Sequence, residues 1–402
     1  MKRFRKVIFW CHLAAGSFAG LVVLVMSLTG VLLAYERQVV AWADARGLQI
    51  APPAPGAARL PLGTLAAAAR AVKPGATPST LTVRADPAAP AVVGFGREGV
   101  VLVNPYTGEA LGEGSRGARG FFRAVTDWHR WLGAGGEGRA AARAVTGACN
   151  LAFLFLVTSG LYLWLPRSRT RKQFRNVSWF RRGLSGRARD FNWHNVVGLW
   201  SVVPLFFVVL SAVPLSYTWA GHLVYRLAGE TPPAPRGGPA PGGAQTPGGR
   251  PPAALPLDGL DPLLARAAGQ VKGWRSISLQ LPTEPAAPVT FTIDTGDGGQ
   301  PQRRAQLTLD RATGGVVRWE PFESLSAGRR LRSYLRFAHT GEVLGIAGQS
   351  VAGLASLGGA ALVLTGLALA WRRFRAWAAR RPAATPAPTA PAPGLLSGAR
   401  SD

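Results

Sequence analysis

Four long apolar runs dominate the chain, and charged or turn-rich segments separate them. They cover residues 7–35, 143–165, 193–219 and 344–371. A helix needs about 20 mostly apolar residues to cross a bilayer, and each run reaches that length. Tryptophans mark several of the ends, as interfacial anchors do. The pattern predicts four transmembrane helices.

In the two long connections between these runs, apolar residues recur at shorter intervals. Each begins with a short helical pattern, at 62–72 and at 260–271, and continues with alternating apolar and polar positions. Alternation of this kind, bounded by Gly, Pro, Asn and Asp, is typical of strands. The predicted strands are 80–83, 91–95, 100–103, 276–280, 289–294, 305–309 and 316–319. We therefore expect a small α+β unit in each connection.

The second half of the chain repeats the first. Without a gap, His12 aligns with His194, Gly16 with Gly198 and Tyr35 with Tyr217. His129 and His339 also correspond, and a glycine follows each after the same interval. The sequence predicts a membrane α-helical fold with four transmembrane helices in two parallel repeats, an internal symmetry that many membrane folds share.

The predicted organisation follows from these runs and connections. In chain order it is helix 1–35, outer unit 36–142, helix 143–166, basic loop 167–191, helix 192–219, outer unit 220–343, helix 344–371 and tail 372–402. Residues 230–256 are rich in Pro and Gly and are predicted to be a disordered linker, and the tail after residue 381 has a similar composition.

Charge gives the chain a predicted orientation. The net charge is +26, and the densest basic block lies at 167–189, between two apolar runs. Basic flanks of membrane helices mark the cytoplasmic side and touch anionic lipid, so this placement argues against a nucleic-acid partner. We expect cytoplasmic N- and C-termini in a multi-pass bacterial inner-membrane protein. Both long connections then lie in the periplasm.

The candidate chemistry is carried by histidine. All five histidines stand at predicted membrane boundaries, with His12 and His194 near the inner surface and His129 and His339 near the outer one. Placing an ionisable residue within the membrane costs free energy, so such a residue usually has a function. Two imidazoles from two helices at one depth suit an axially ligated haem, so we expect two bis-histidine b-type haems. Several glycines are candidates for making room beside a flat macrocycle, namely Gly16, Gly20, Gly198, Gly138 and Gly348.

Other uses of these histidines are weaker. A single interfacial histidine is often a hydrogen-bonded polar residue, and we favour that interpretation for His222. Zinc usually takes four ligands, whereas each pair offers two. A proton relay would need acidic residues at depth, and the apolar runs contain almost none. No nucleotide-binding motif is present, so the electron donor must be a partner, either membrane quinol or a cytoplasmic reductase.

Several motifs together resemble the PepSY-associated transmembrane family. They are the turn at 104–112 (NPYTGEALG) and the helix-boundary segments 129–133, 216–220 and 339–342. The turn at 310–315 departs from the family pattern. The resemblance implies PepSY-like periplasmic domains, a link to iron uptake and, in some members, reduction of ferric siderophores. It also makes His12, His194, His129 and His339 the candidate axial ligands.

Three functions remain open at this point. The leading hypothesis is a haem-containing oxidoreductase that passes electrons outward to a ferric siderophore, by electron delivery rather than acid–base catalysis. A second is a non-enzymatic PepSY membrane module that binds a peptide or protein partner. A third is a haem conduit whose acceptor is another protein.

Overall fold

The computed structural model describes residues 2–48, 50–52, 54, 56–166, 170–233, 257–282, 284 and 286–379. The predicted linker beyond residue 233 and the predicted tail from residue 380 onward lie outside the described residues. The helices are α1 (Lys2–Leu33), α2 (Glu36–Ala45), α3 (Leu62–Val72), α4 (Arg116–Trp131), α5 (Gly138–Trp164), α6 (Arg171–Ser178), α7 (Gly186–Ser216), α8 (Thr218–Leu227), α9 (Leu260–Gln270), α10 (Ala327–His339) and α11 (Gly345–Ala378). The strands are β1 (Thr80–Arg84), β2 (Ala91–Gly94), β3 (Val100–Val103), β4 (Ala110–Gly112), β5 (Ser276–Gln280), β6 (Val289–Asp294), β7 (Arg304–Leu309) and β8 (Val316–Pro321).

Four helices, α1, α5, α7 and α11, are long and apolar enough to cross a membrane, as predicted. The shortest of them, α5, has 27 residues. At about 1.5 Å per residue it is roughly 40 Å long, which exceeds the ~30 Å hydrocarbon core of a bilayer. Large apolar side chains cover their outward faces, with Phe18 89% and Leu354 73% exposed. Such surfaces are stable against lipid acyl chains and costly in water.

The helices extend beyond the apolar runs that predicted them. Helix α5 begins at Gly138 rather than near residue 143, α7 begins at Gly186 rather than near 192, and α11 continues to Ala378. Hydropathy detects the segment that matches lipid, whereas backbone hydrogen bonding continues through polar turns in the interface.

The four long helices form a bundle in which neighbours alternate. Helix α1 packs against α5 and α11, and α7 packs against the same two helices. Helices α1 and α7 therefore lie on one diagonal of the bundle, and α5 and α11 on the other. The bundle centre is apolar and is built around Val157, Leu205 and Ala355. Glycines such as Gly358, where a Cβ would overlap Ser201, let the helices approach closely.

One end of the bundle is basic. Arg5 on α1 donates to the backbone carbonyl of Leu165 beyond the end of α5, and Arg372 on α11 donates to Asp190 on α7. We call this end the basic side. The opposite end carries the β-sheet, and we call it the sheet side.

The strands form one eight-stranded antiparallel sheet in the order β4-β3-β2-β1-β5-β6-β7-β8. Each half of the chain contributes four strands, and the halves meet where β1 pairs with β5. At the centre of that pair Thr82 faces Ser278, and the Thr82 hydroxyl donates to the Ser278 hydroxyl at 2.9 Å. The sequence predicted two separate units. The structure joins them, because the open edges of β1 and β5 complete each other.

A hydrophobic core lies between the sheet and helices α3 and α9. Leu65 from α3, Leu260 from α9, and Leu81 and Phe291 from the sheet are almost fully buried there. The two helices also meet directly, since Asp261 of α9 accepts a hydrogen bond from the backbone N–H of Leu62 at the start of α3. Core residues from both halves thus form one cluster.

We expect Phe291→Ala to weaken both halves of the sheet together. Removing a fully buried phenylalanine costs about 3–5 kcal/mol through lost burial and the cavity that remains. Hydrogen exchange of the purified full chain should show reduced protection in β5–β7 and also in β1–β3. Val317→Ala, at an exposed position of β8, is the control and should leave protection unchanged. A loss confined to residues 276–321 would contradict a single cooperative sheet.

Candidate functional site

Four of the five histidines form two pairs at opposite ends of the bundle. His12 on α1 and His194 on α7 line one cavity on the basic side. His129 near the end of α4 and His339 at the end of α10 face each other on the sheet side. The structure therefore brings together the same two pairs that the sequence suggested.

The sheet-side pair has the separation that a shared metal ion requires. The ring centroids of His129 and His339 lie 6.1 Å apart. An imidazole nitrogen lies about 2 Å from a bound metal ion. When two imidazoles bind one ion from opposite sides, the two bonds and the distance from each nitrogen to its ring centroid add to roughly 6 Å between centroids. Burial, and then the neighbouring His339, lowers the pKa of the His129 imidazole to about 4. Burial also lowers the pKa of His339, so both rings are neutral at pH 7.

On the sheet side, each imidazole is held through Nδ1. His339 Nδ1 lies 2.9 Å from the backbone carbonyl oxygen of Val208 on α7, which can only accept, so Nδ1 carries the proton. His129 Nδ1 lies 2.9 Å from the Thr29 hydroxyl on α1. That hydroxyl donates to the backbone carbonyl of Val25 at 2.6 Å and therefore accepts from His129. Both rings keep a free electron pair on Nε2.

The basic-side pair repeats this arrangement with side chains of the neighbouring helices. His12 Nδ1 lies 2.8 Å from the Ser159 hydroxyl on α5, and His194 Nδ1 lies 3.0 Å from the Thr365 hydroxyl on α11. Each hydroxyl donates to a carbonyl of its own helix, at 2.6 Å for Ser159 and 2.7 Å for Thr365. Metal-ligating histidines almost always donate their other N–H in this way, because that bond sets the tautomer and the ring orientation.

Glycines lie directly beside three of the four rings. A Cβ atom would lie 3.4 Å from His12 Cε1 at Gly160, 3.3 Å from His194 Cε1 at Gly366 and 3.6 Å from His129 Cε1 at Gly30. Larger side chains at these positions would crowd the imidazoles. The backbone of a neighbouring helix can therefore approach each ring closely.

The glycines proposed from sequence divide into two groups. Gly16, Gly198 and Gly20 line the basic-side cavity. For the other two the nearest contacts are not imidazoles: a Cβ at Gly138 would meet Ala134, and one at Gly348 would overlap the backbone of Gly341. Gly348 therefore serves the tight turn between α10 and α11, and the expectation that these two glycines make room for a macrocycle stays a prediction.

The basic-side cavity has the size and lining of a cofactor site. Its volume is about 650 Å³, within the range of roughly 300–1,000 Å³ that is usual for ligand pockets. Its walls are mostly apolar, and its rim carries Arg5, Lys6, Arg187 and Arg373. Such a cavity fits a flat apolar ligand that bears carboxylates, because guanidinium groups form charge-assisted bonds with them.

His222 belongs to neither pair. It lines a separate cavity near the junction of α7 and α8, together with Arg143 and Tyr217. Within the described residues, no group of three or more His, Cys, Asp or Glu side chains could hold a metal ion. A four-ligand zinc centre therefore has no donor set in the described part of the chain.

Sequence reasoning missed the partners of the imidazoles. Ser159 and Thr365 were visible as hydroxyl residues in two matching segments, each followed by glycine, but their role was not assigned. Thr29 carried the same local signal, because Gly30 follows it and the repeat aligns it with Ser211, but its role was not assigned either. The carbonyl of Val208 could not be found from sequence, because every residue has one and only the packing of α10 on α7 selects it.

Comparison with known proteins agrees with this architecture. No curated protein matches the chain. The profile of the PepSY-associated TM region matches residues 9–373, a range that includes all five histidines and all four long helices except their extreme ends. Because the match covers most of the chain, the protein belongs to the family of the PepSY-associated TM region.

Proposed function

We propose that the two histidine pairs hold two b-type haems and that the chain carries electrons across the bacterial inner membrane. The observation that supports this most directly is the common state of the four imidazoles. Each donates from Nδ1 to a partner on another helix and keeps Nε2 free. Haem bound at Nε2 would supply reversible one-electron chemistry, with a potential set by its ligands and the polarity of the pocket.

The positions of the pairs along the helices support a transmembrane route. At a rise of about 1.5 Å per residue, His12 and Thr29 are roughly 25 Å apart along α1, and His194 and Val208 are roughly 21 Å apart along α7. These spans approach the ~30 Å thickness of the hydrocarbon core. The two sites therefore lie close to opposite membrane surfaces.

The bundle interior between the pairs favours electrons over protons. The sequence has no Asp, Glu, Lys or Arg from residue 13 to 28 of α1 or from 195 to 207 of α7. The middle is filled by Val157, Leu205 and Ala355. A proton relay at this depth would need ionisable groups, whereas electron transfer needs none.

The orientation follows from charge. The basic side carries the arginine-rich ends of α1 and α11 and the segment 170–189, so the positive-inside rule indicates that it faces the cytoplasm. The sheet then lies in the periplasm as two PepSY-like repeats. Each histidine pair takes one member from each repeat, which explains why the motifs occur twice.

Electrons would enter from membrane quinol or a cytoplasmic reductase and leave to a ferric siderophore beside the sheet. The acceptor is proposed because some members of the family reduce such chelates. Hard oxygen chelators hold ferrous iron more weakly than ferric iron, so one-electron reduction would release the metal. The residues of the chain position the imidazoles, exclude water from the bundle centre and need not transfer protons.

The purified protein should contain two haems per chain, with the spectrum of bis-histidine b-type haem. His194→Ala and His339→Ala should each reduce the ratio to one, because each removes an axial ligand from a different site. His222→Ala is the control and should keep two haems. Pyridine haemochrome analysis provides the measurement. Protein that contains no haem, yet restores growth of a deletion strain on a ferric siderophore, would instead favour a binding module.

Ser159→Ala and Thr365→Val should weaken haem binding at the basic side by about 10–100-fold, because they remove the acceptor that orients the imidazole. Thr158→Ala is a matched control. Its hydroxyl lies next to Ser159 in sequence but is exposed and bonds to the Leu154 carbonyl of its own helix. The rate of haem transfer to an apoprotein acceptor measures the effect. Equal rates for the Ser159 and Thr158 variants would refute the orienting role.

A further inference from the structure

A second cavity, on the sheet side, contains chemistry that the histidine pairs do not use. We call it the α8–α10 cavity; its volume is about 550 Å³. It lies among the start of α5, the junction of α7 and α8, and helix α10. The charged residues that line it are Arg143, Arg329, Arg332 and Glu230, and its polar lining residues include His222 and Ser326.

Two of the charged residues in this cavity already have partners. Glu230 accepts hydrogen bonds from the Ser326 hydroxyl at 2.7 Å and the Gly328 N–H at 3.0 Å. Arg329 forms an ion pair with Glu320 at 3.0 Å. These interactions connect α10 to the segment after α8 and to β8, so they stabilise the walls of the cavity.

The other two arginines lack an acidic partner. Among the ion pairs of the described residues, none includes Arg143 or Arg332. Arg143 donates to the backbone carbonyl of Ser216 at 3.3 Å, a bond that orients the guanidinium without neutralising it. Two guanidinium groups without an ion-pair partner thus line one cavity, together with the single carboxylate of Glu230.

The fold makes room for Arg332. A Cβ at Gly221 would lie 2.7 Å from Arg332 Nη1 and 3.6 Å from the carbonyl oxygen of Pro214. Glycine at this position therefore lets the guanidinium lie against the turn between α7 and α8. A guanidinium can form two parallel hydrogen bonds to one planar oxyanion.

We propose that the α8–α10 cavity binds the carboxylate or phosphate oxygens of an anionic ligand through Arg143 and Arg332. If the proposed electron-transfer function holds, that ligand is an anionic ferric chelate. Arg332 and His339 share helix α10 and are about 10 Å apart along its axis, so the chelate would bind beside the sheet-side pair. A cationic chelate would meet these two guanidinium groups and bind more weakly.

The test uses gallium(III) complexes, which resemble ferric chelates but accept no electron under these conditions. Isothermal titration of the purified full chain should show binding of gallium citrate, an anionic complex, and much weaker binding of a cationic gallium trihydroxamate. Inorganic phosphate should compete with the citrate complex. Binding of both complexes with equal affinity would overturn the proposal.

Arg143→Gln and Arg332→Gln should each weaken gallium citrate binding at least tenfold. Gly221→Ala should act similarly, because the added methyl group displaces the Arg332 guanidinium while both arginines remain. Arg84→Gln is the control, since it removes the same charge from an exposed position of β1, remote from the cavity. Unchanged affinity in Arg143→Gln and Arg332→Gln would refute the assignment.

Two further measurements separate this proposal from its neighbours. The first is the haem content of the same samples. Protein that contains no haem but binds gallium citrate through Arg143 and Arg332 would refute only the electron-transfer function. Protein that contains haem but binds gallium citrate equally well without these arginines would refute only the cavity assignment. Titrations in phosphatidylcholine discs with and without phosphatidylglycerol identify the oxyanion source. If gallium citrate no longer binds in the discs that contain phosphatidylglycerol, the cavity binds a lipid headgroup, and the proposal that it binds a ferric chelate is refuted.

Discussion

An imidazole N–H buried among membrane helices must have an acceptor, and this requirement organises the bundle. The Nδ1 atoms point at neighbouring helices, and a buried donor without an acceptor costs several kcal/mol. Each histidine of the two pairs therefore takes its acceptor from a different helix: α1 is joined to α5, α7 to α11, α4 to α1, and α10 to α7. These four bonds determine how each helix is rotated about its axis.

The same constraint gives meaning to the adjacent Ser159 and Gly160, and to the adjacent Thr365 and Gly366. In each case the hydroxyl residue accepts from the imidazole, and the following glycine leaves space for the same ring. A larger residue at the second position would push the ring away from the acceptor provided by the first. One dipeptide thus supplies both the bond and the space, and the two functions cannot be varied independently.

Hydropathy and alternation were sufficient to predict the four spans, the seven longer strands and the histidine pairs, because each leaves a local pattern. The pairing of β1 with β5 leaves no local sequence pattern. Both strands alternate Thr or Ser with apolar residues, and this alternation is equally typical of an edge strand and a central strand. Helices α4 and α10 were missed because their many arginines hide a narrow apolar stripe. The acceptors of the imidazoles depend on helix rotation, which residue spacing does not determine.

The pairing of β1 with β5 has a consequence for symmetry. Antiparallel partners are related by a local twofold axis, which here passes between Thr82 and Ser278. That is the relation by which two identical subunits close an isologous dimer. The two halves of the chain therefore meet at an interface like that of a homodimer, although they belong to one polypeptide. A slip by one residue would turn Leu81 and Leu279 out of the core, so this internal dimer has a single register.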